Sequence, residues 1–123
     1  LPWADRIIIL KAGKIVQQDT PHEVYFQPRS EYVAGLFGRY SVVDAKMYKA
    51  LGGRGSGKVI IRPEELAVRR GKMKKGVVGT VLSQKFAGHG YEILVDVKRL
   101  SVACVSSDPK LAPGSPVTIA LRK

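Results

Sequence analysis

Residues 52 to 59 read GGRGSGKV, and Gly52, Gly57 and Lys58 fall on the G-x-x-x-x-G-K frame that cradles nucleotide phosphates. That chemistry needs more than the frame. A strand must deliver the loop, and a helix must start directly after it so that its N–H groups face the phosphates. A Ser or Thr after the Lys must hold Mg²⁺. Here Val59 follows Lys58 and opens the strand-like run VIIRP, while the stretch before the glycines is polar and helix-like. The segment therefore reads as a glycine-rich linker, not a phosphate cradle.

A second cluster, RRGKMKK from Arg69 to Lys75, sets five cations in seven residues. Arg69, Arg70 and Lys72, with His89 in a Gly-His-Gly turn, are candidate contacts for an anion: a phosphate backbone, a lipid headgroup or a small oxyanion. The plainer reading is a solvated loop between two strands. Stacking platforms for single-stranded nucleic acid are thin, because Phe86 and Tyr91 sit in alternating strand patterns and are expected in the core. Nucleic acid is accordingly not expected as a partner.

His22 and His89 have no second ligand at metal spacing, so no metal is expected. Arg62, Glu64 and Glu65 are candidates for a domain or subunit interface. On a strand Arg62 and Glu64 would share one face, and Glu64 and Glu65 would point apart. Cys104, the single cysteine, lies in the apolar run LSVACVS and reads as a buried, inert thiol. No nucleophile stands beside a base. The expectation is a chain with no catalytic, cofactor-binding or metal-binding residues.

The elements that carry these residues divide in two. Residues 1–40 hold five Lys/Arg against four Asp/Glu, whereas residues 41–123 hold sixteen against six, so nearly all of the net +11 belongs to the second part. In the first part, RIIIL and KIVQQ flank Ala12-Gly13 as a hairpin. Thr20-Pro21-His22-Glu23 has the capping-box pattern of a helix start, and Ser30 caps a second short helix. The strand Ile7–Leu10 is apolar on both faces, which fits the edge of a larger sheet. Ile7, Ile9, Val24, Leu36 and Phe37 are expected to lack cover here, so self-association is expected. No apolar run approaches the roughly 18 residues that span a bilayer.

Residues 41–57 read as a linker. Beyond it, six strand candidates at Val59–Ile61, Leu66–Arg69, Val77–Phe86, Tyr91–Val97, Leu100–Val105 and Pro116–Leu121 are separated by Gly and Pro turns. The fold class expected is mainly β: a small OB-like barrel of five to six strands over 58–123, preceded by a β-hairpin and two short helices over 1–40. Gly79 is expected to mark a bulge or corner.

Two segments resemble a known family. Ala4-Asp5-Arg6-Ile7, Gly13-Lys14-Ile15, Thr20-Pro21-His22-Glu23-Val24-Tyr25 and Pro28 leading to Tyr32-Val33-Ala34 and Phe37-Gly38 are similar to the end of the nucleotide-binding domain of bacterial ABC importers. Arg62-Pro63-Glu64, Gly79-x-Val81, Gly88 with Tyr91, and Pro113-Gly114 are similar to the TOBE domain that follows it. The Walker A, Walker B, signature and switch-histidine motifs of that family have no counterpart in this sequence.

The resemblance implies the C-terminal regulatory and dimerisation region of an importer ATPase, with ATP and Mg²⁺ bound by other parts of the parent. It implies a second ATPase subunit and membrane permease subunits as partners, and a cytoplasmic location at the inner face of the membrane. The solutes carried by such importers include iron, polyamines, sugars, phosphonates and oxyanions. Two further readings stay open at this point: a basic module for single-stranded nucleic acid, and a small-oxyanion-binding barrel.

Overall fold

Nine strands, three short α-helices and one 3-10 turn account for the regular elements among residues 6–71 and 73–122, the part that the computed structural model describes. The elements fall into two units, Leu1–Tyr40 and Ser41–Lys123. Ala4, Asp5 and Lys72, used in the sequence reading, lie outside the described residues.

In the first unit, β1 (Ile7–Lys11) and β2 (Lys14–Asp19) form an antiparallel hairpin whose register shifts between Ile9 and Leu10. The helix α1 (Pro21–Phe26) starts as its capping box requires: Thr20 Oγ1 accepts from Glu23 N–H, and Glu23 Oε1 accepts from Thr20 N–H. Ser30 Oγ caps α2 (Glu31–Leu36) by accepting from Val33 N–H. Between hairpin and helices lies a small core of Ile9, Val24 and Val33, with Ile7, Val16 and Phe37 packed against it.

The buried Gln17 ties β2 to the end of α1. Its Nε2 donates to Gln27 O (3.2 Å), and its Oε1 accepts from Arg29 N–H (2.8 Å). The expected uncovered set is thus corrected. Strand alternation turns Ile9 inward, and of that set only Leu36 is left exposed. The apolar residues that face solvent on the hairpin are Ile8, Leu10 and Ile15, at 54%, 56% and 59% exposure.

The second unit begins earlier than the linker reading placed it. β3 (Ser41–Val43) pairs antiparallel with β4 (Val59–Ile61), and α3 (Ala45–Ala50) starts at Asp44, whose carboxylate accepts from Met47 N–H at 2.7 Å. Val43, Leu51 and Ile61 are buried in the main core, and Ser41 Oγ accepts from Ala103 N–H. Residues 41–51 are therefore ordered parts of this unit, and the irregular stretch shrinks to the glycine-rich residues that follow.

A 3-10 turn (Pro63–Glu65) leads into five strands: β5 (Leu66–Arg70), β6 (Val77–Phe86), β7 (Tyr91–Val97), β8 (Leu100–Ser106) and β9 (Pro116–Leu121). They form one antiparallel sheet in the order β5-β9-β6-β7-β8, curled into a half-barrel that brings the edge strands β5 and β8 near each other. The sixth candidate, Val59–Ile61, is β4 and belongs with β3. Inward residues alternate along each strand, and Leu66, Val81, Ile93, Val95, Val117 and Ile119 fill the concave side.

The bulge in β6 sits between Val81 and Ser83, not at Gly79. Gly79 is needed for another reason. A Cβ there would lie 2.7 Å from Asp96 O and 2.7 Å from a Val95 methyl, so the backbone of β7 passes where a side chain would stand. Gly79→Ala is expected to cost about 1–3 kcal/mol through overpacking, read as a lower urea midpoint. An unchanged midpoint would mean that β7 yields freely.

Candidate functional site

β5 and β9 present alternate residues to the convex side of the sheet. Their register sets Ala67 opposite Ala120 and Arg69 opposite Thr118, while Val68 and Ile119 point into the core. Two alanines side by side leave the convex surface low at this point. Gly71 and, beyond it, residues 73–76 lie across β9 and wall the hollow. Thr118 Oγ1 holds them there, donating to Gly71 O (2.6 Å) and accepting from Met73 N–H (3.1 Å). Gly76 seats the other end at positive φ, where a Cβ would come within 2.5 Å of Ile119 O.

The result is a groove of about 770 Å³ with a floor of Ala67, Ala120 and Leu121. Met73, Lys74 and Lys75 line it from the loop, and Arg69 and Arg122 stand along its length. Arg122 is fixed at both levels: its backbone N–H donates to Glu65 O (2.8 Å), and its guanidinium Nη2 donates to Val105 O (3.0 Å). Among the described residues, no carboxylate lines the groove and none pairs with Arg69, Lys74 or Lys75.

The residues singled out from the sequence part company. Arg69 is in the groove. Arg70, one residue on, points the other way and pairs with Asp108 at 3.1 Å. Lys72 lies outside the described residues. His89 sits exposed in the β6–β7 turn, its N–H donating to Ala87 O, and is not among the groove residues.

Arg62 and Glu64 do not share a face, because Pro63 starts a 3-10 turn in place of a strand. Arg62 is buried at 1% exposure and its N–H donates to Glu65 Oε1 at 2.7 Å, whereas Glu64 is exposed. Phe86, expected in the core, is 66% exposed and meets Tyr91 edge-on at 5.6 Å between ring centroids. The sequence reading missed Thr118 and Arg122. Their common signal is the alternation of β9, which puts 118, 120 and 122 on one face.

Among the described residues no cluster of three or more His, Cys, Asp or Glu could hold a metal ion. The glycine segment does not fit ATP and Mg²⁺: Lys58 runs directly into Val59 of β4, so no helix N-terminus faces the loop and no hydroxyl follows the Lys. No described helix is long and apolar enough to cross a membrane.

Residues 59–123 match the TOBE domain family. The chain is 29% identical over 140 residues to the Fe(3+) ions import ATP-binding protein FbpC of Rhizobium etli, an alignment that covers 97% of this chain and 39% of that protein. It is 31% identical over 134 residues to FbpC of Streptomyces avermitilis, covering 95% and 38%. The spermidine/putrescine import ATP-binding protein PotA of Haemophilus ducreyi is 25% identical over 114 residues, covering 72% and 31%. The chain thus spans less than two fifths of the length of these relatives. The resemblance to the end of an importer ATP-binding protein, drawn from the sequence, is borne out.

Cys104 lies in the core beneath this sheet. Burial pushes its thiol from the ordinary 9.0 up to about 12, against a smaller opposing pull from the Arg122 charge. The fold therefore favours the neutral thiol. The stability that this contributes is full below about pH 9 and is lost as pH rises toward 12. Two measurements check it. At pH 8 the native thiolate fraction, and with it the rate of a disulfide reagent, should be roughly 1,000-fold below that of the unfolded chain. Between pH 9 and 12 the wild type should also lose stability more steeply than Cys104→Ala.

Proposed function

Because this chain belongs to the TOBE domain family, we propose that it is the C-terminal regulatory and dimerisation region of an importer ATP-binding subunit. The observation that carries the reading is the order of the two units. Relatives that are ATP-binding proteins of importers align across 95–97% of the chain, so the hairpin unit and the TOBE half are matched together. The hairpin unit supports it independently. Among the described residues its sheet has two strands, and Ile8, Leu10 and Ile15 present an apolar face to solvent of the kind that further strands of a larger sheet cover.

On this reading ATP and Mg²⁺ are held by other parts of a longer parent, and these residues contribute contacts and regulation, not chemistry. The partners are a second ATP-binding subunit and membrane permease subunits, which place the region in the cytoplasm against the inner face of the membrane. Glu64, exposed on the 3-10 turn, is a candidate contact to a partner. Arg62 and Glu65 act from within, holding the turn in shape.

The reading is tested by the native size of the polypeptide. An antibody to PVTIALRK, used on lysate of the source cells, should detect a band roughly two and a half times the length of this chain, as the 39% and 38% coverages imply. That band should sediment with membranes and co-precipitate a membrane subunit. A band at the size of this chain alone overturns the proposal.

The 123-residue chain by itself is expected to self-associate at micromolar concentration through its hairpin face. Leu10→Lys with Ile15→Glu, a cross-strand pair on that face, should return it to a monomer in light scattering. A monomeric wild type would show that the hairpin face is tolerated in water.

A further inference from the structure

The groove over β5 and β9 combines three features that a solvated loop does not need. It is concave and of a size that suits a small molecule, within the roughly 300–1,000 Å³ usual for ligand sites. Its floor is apolar, set by Ala67, Ala120 and Leu121. Its charges are all of one sign, from Arg69, Lys74, Lys75 and Arg122, with no lining carboxylate among the described residues. A purely solvated basic loop would extend away from the sheet. This one is fastened down, through Thr118 to Gly71 and Met73 and through the close seat of Gly76 on β9.

The spacing of the charges narrows the ligand. Arg122 pairs through its backbone with Glu65, and Arg69 lies four residues further along β5. At about 3.4 Å per residue the two guanidinium-bearing positions are roughly 14 Å apart. The long side chain of Arg69 can reach inward from one end, Arg122 is held at the other by Val105 O with further guanidinium N–H groups left to donate, and Lys74 and Lys75 stand between them on the loop. The groove lining contains no aromatic ring among the described residues, so it offers nothing for bases to stack on, which disfavours single-stranded nucleic acid. A bare oxyanion would use one end only and leave the apolar floor without purpose.

We infer that this groove binds a small organic phosphate with negative charge at both ends, of the sugar-bisphosphate kind, its carbon skeleton lying over the alanine pair. Arg69 and Arg122 take the two ends, and Lys74 and Lys75 close over the middle. The inference stands on the groove alone and does not depend on the importer reading.

The test is titration calorimetry on the 123-residue chain with fructose 1,6-bisphosphate, glucose 6-phosphate, inorganic phosphate, sulfate and fructose at low and at physiological salt. The bisphosphate should bind at least tenfold more tightly than inorganic phosphate or sulfate, with the monophosphate between them and no binding of fructose. Binding should weaken as salt rises. Arg69→Gln, and separately the pair Lys74→Gln with Lys75→Gln, should each weaken it at least tenfold. All three side chains are on the surface, and an unchanged melting temperature will show that the fold is kept. Lys85→Gln, an exposed cation outside the groove, should change nothing. The inference is overturned if no bisphosphate binding is seen, if inorganic phosphate or sulfate binds as tightly, or if the groove variants bind like wild type. A tight complex with a short single-stranded oligonucleotide, abolished by the same variants, would also overturn it in favour of nucleic acid.

Discussion

The second unit depends on where its last strand goes. β9 inserts between β5 and β6, so that a segment starting at Pro116 pairs with Leu66–Arg70 on one side and with Val77–Thr80 on the other. Without it the sheet would be a three-stranded meander with β5 detached. Its inward residues Val117 and Ile119 are fully buried. Its end carries two further ties, from Leu121 N–H to Leu51 O (2.9 Å) and from Arg122 N–H to Glu65 O (2.8 Å). One strand thus joins α3, the 3-10 turn and both halves of the sheet. Such non-local pairing has to overcome loop-closure entropy before it gains any contact, so it is expected to form late in folding.

The same strand explains the convex side. The face of β9 that does not enter the core would ordinarily be a polar stripe in water. Here Thr118 is 3% exposed because the segment after β5 returns across it. That return is forced by topology: β5 and β6 are consecutive in sequence but are separated in the sheet by the width of β9. The connection must cross over, and the hydroxyl of Thr118 supplies both a donor and an acceptor to backbone groups that would otherwise lose water. The groove is a by-product of that crossing, shaped by the two alanines beneath it.

Much of this was readable from residue order, and the rest failed for definite reasons. The five sheet strands, the hairpin and both helix caps follow from period-two alternation and from Thr20, Ser30 and Glu23, which act locally. Residues 41–51 were misread because β3 has three residues and α3 has six, too few to show a period, and because the partner of Ser41–Val43 lies well along the chain at Val59–Ile61. Arg62 looked like a surface charge, since nothing in the string RPE reveals that Pro63 turns the chain and takes the side chain inside. Ala67 and Ala120 are 53 positions apart, and only the β5–β9 register brings them together. Arg69 and the lysines were visible as a charge run, but the surface that gives them a common direction was not.

Residues 41–123 carry sixteen Lys/Arg against six Asp/Glu, and several of those six are already engaged. Of the six, Asp44 caps α3, Glu65 holds the 3-10 turn through Arg62 N–H, and Asp108 pairs with Arg70 and accepts from Lys110 N–H. Half of the acidic groups therefore serve backbone geometry or a single ion pair. A protein that needed only solubility could intersperse acids among its cations, and self-repulsion would favour doing so. On the convex side of β5 and β9 the cations are gathered beside a fastened loop with no acid lining the groove among the described residues, and their mutual repulsion is a penalty that a bound anion would relieve. The penalty is smallest when one ligand meets several of these cations at once, which is why a ligand charged at both ends suits the groove better than a lone counter-ion does.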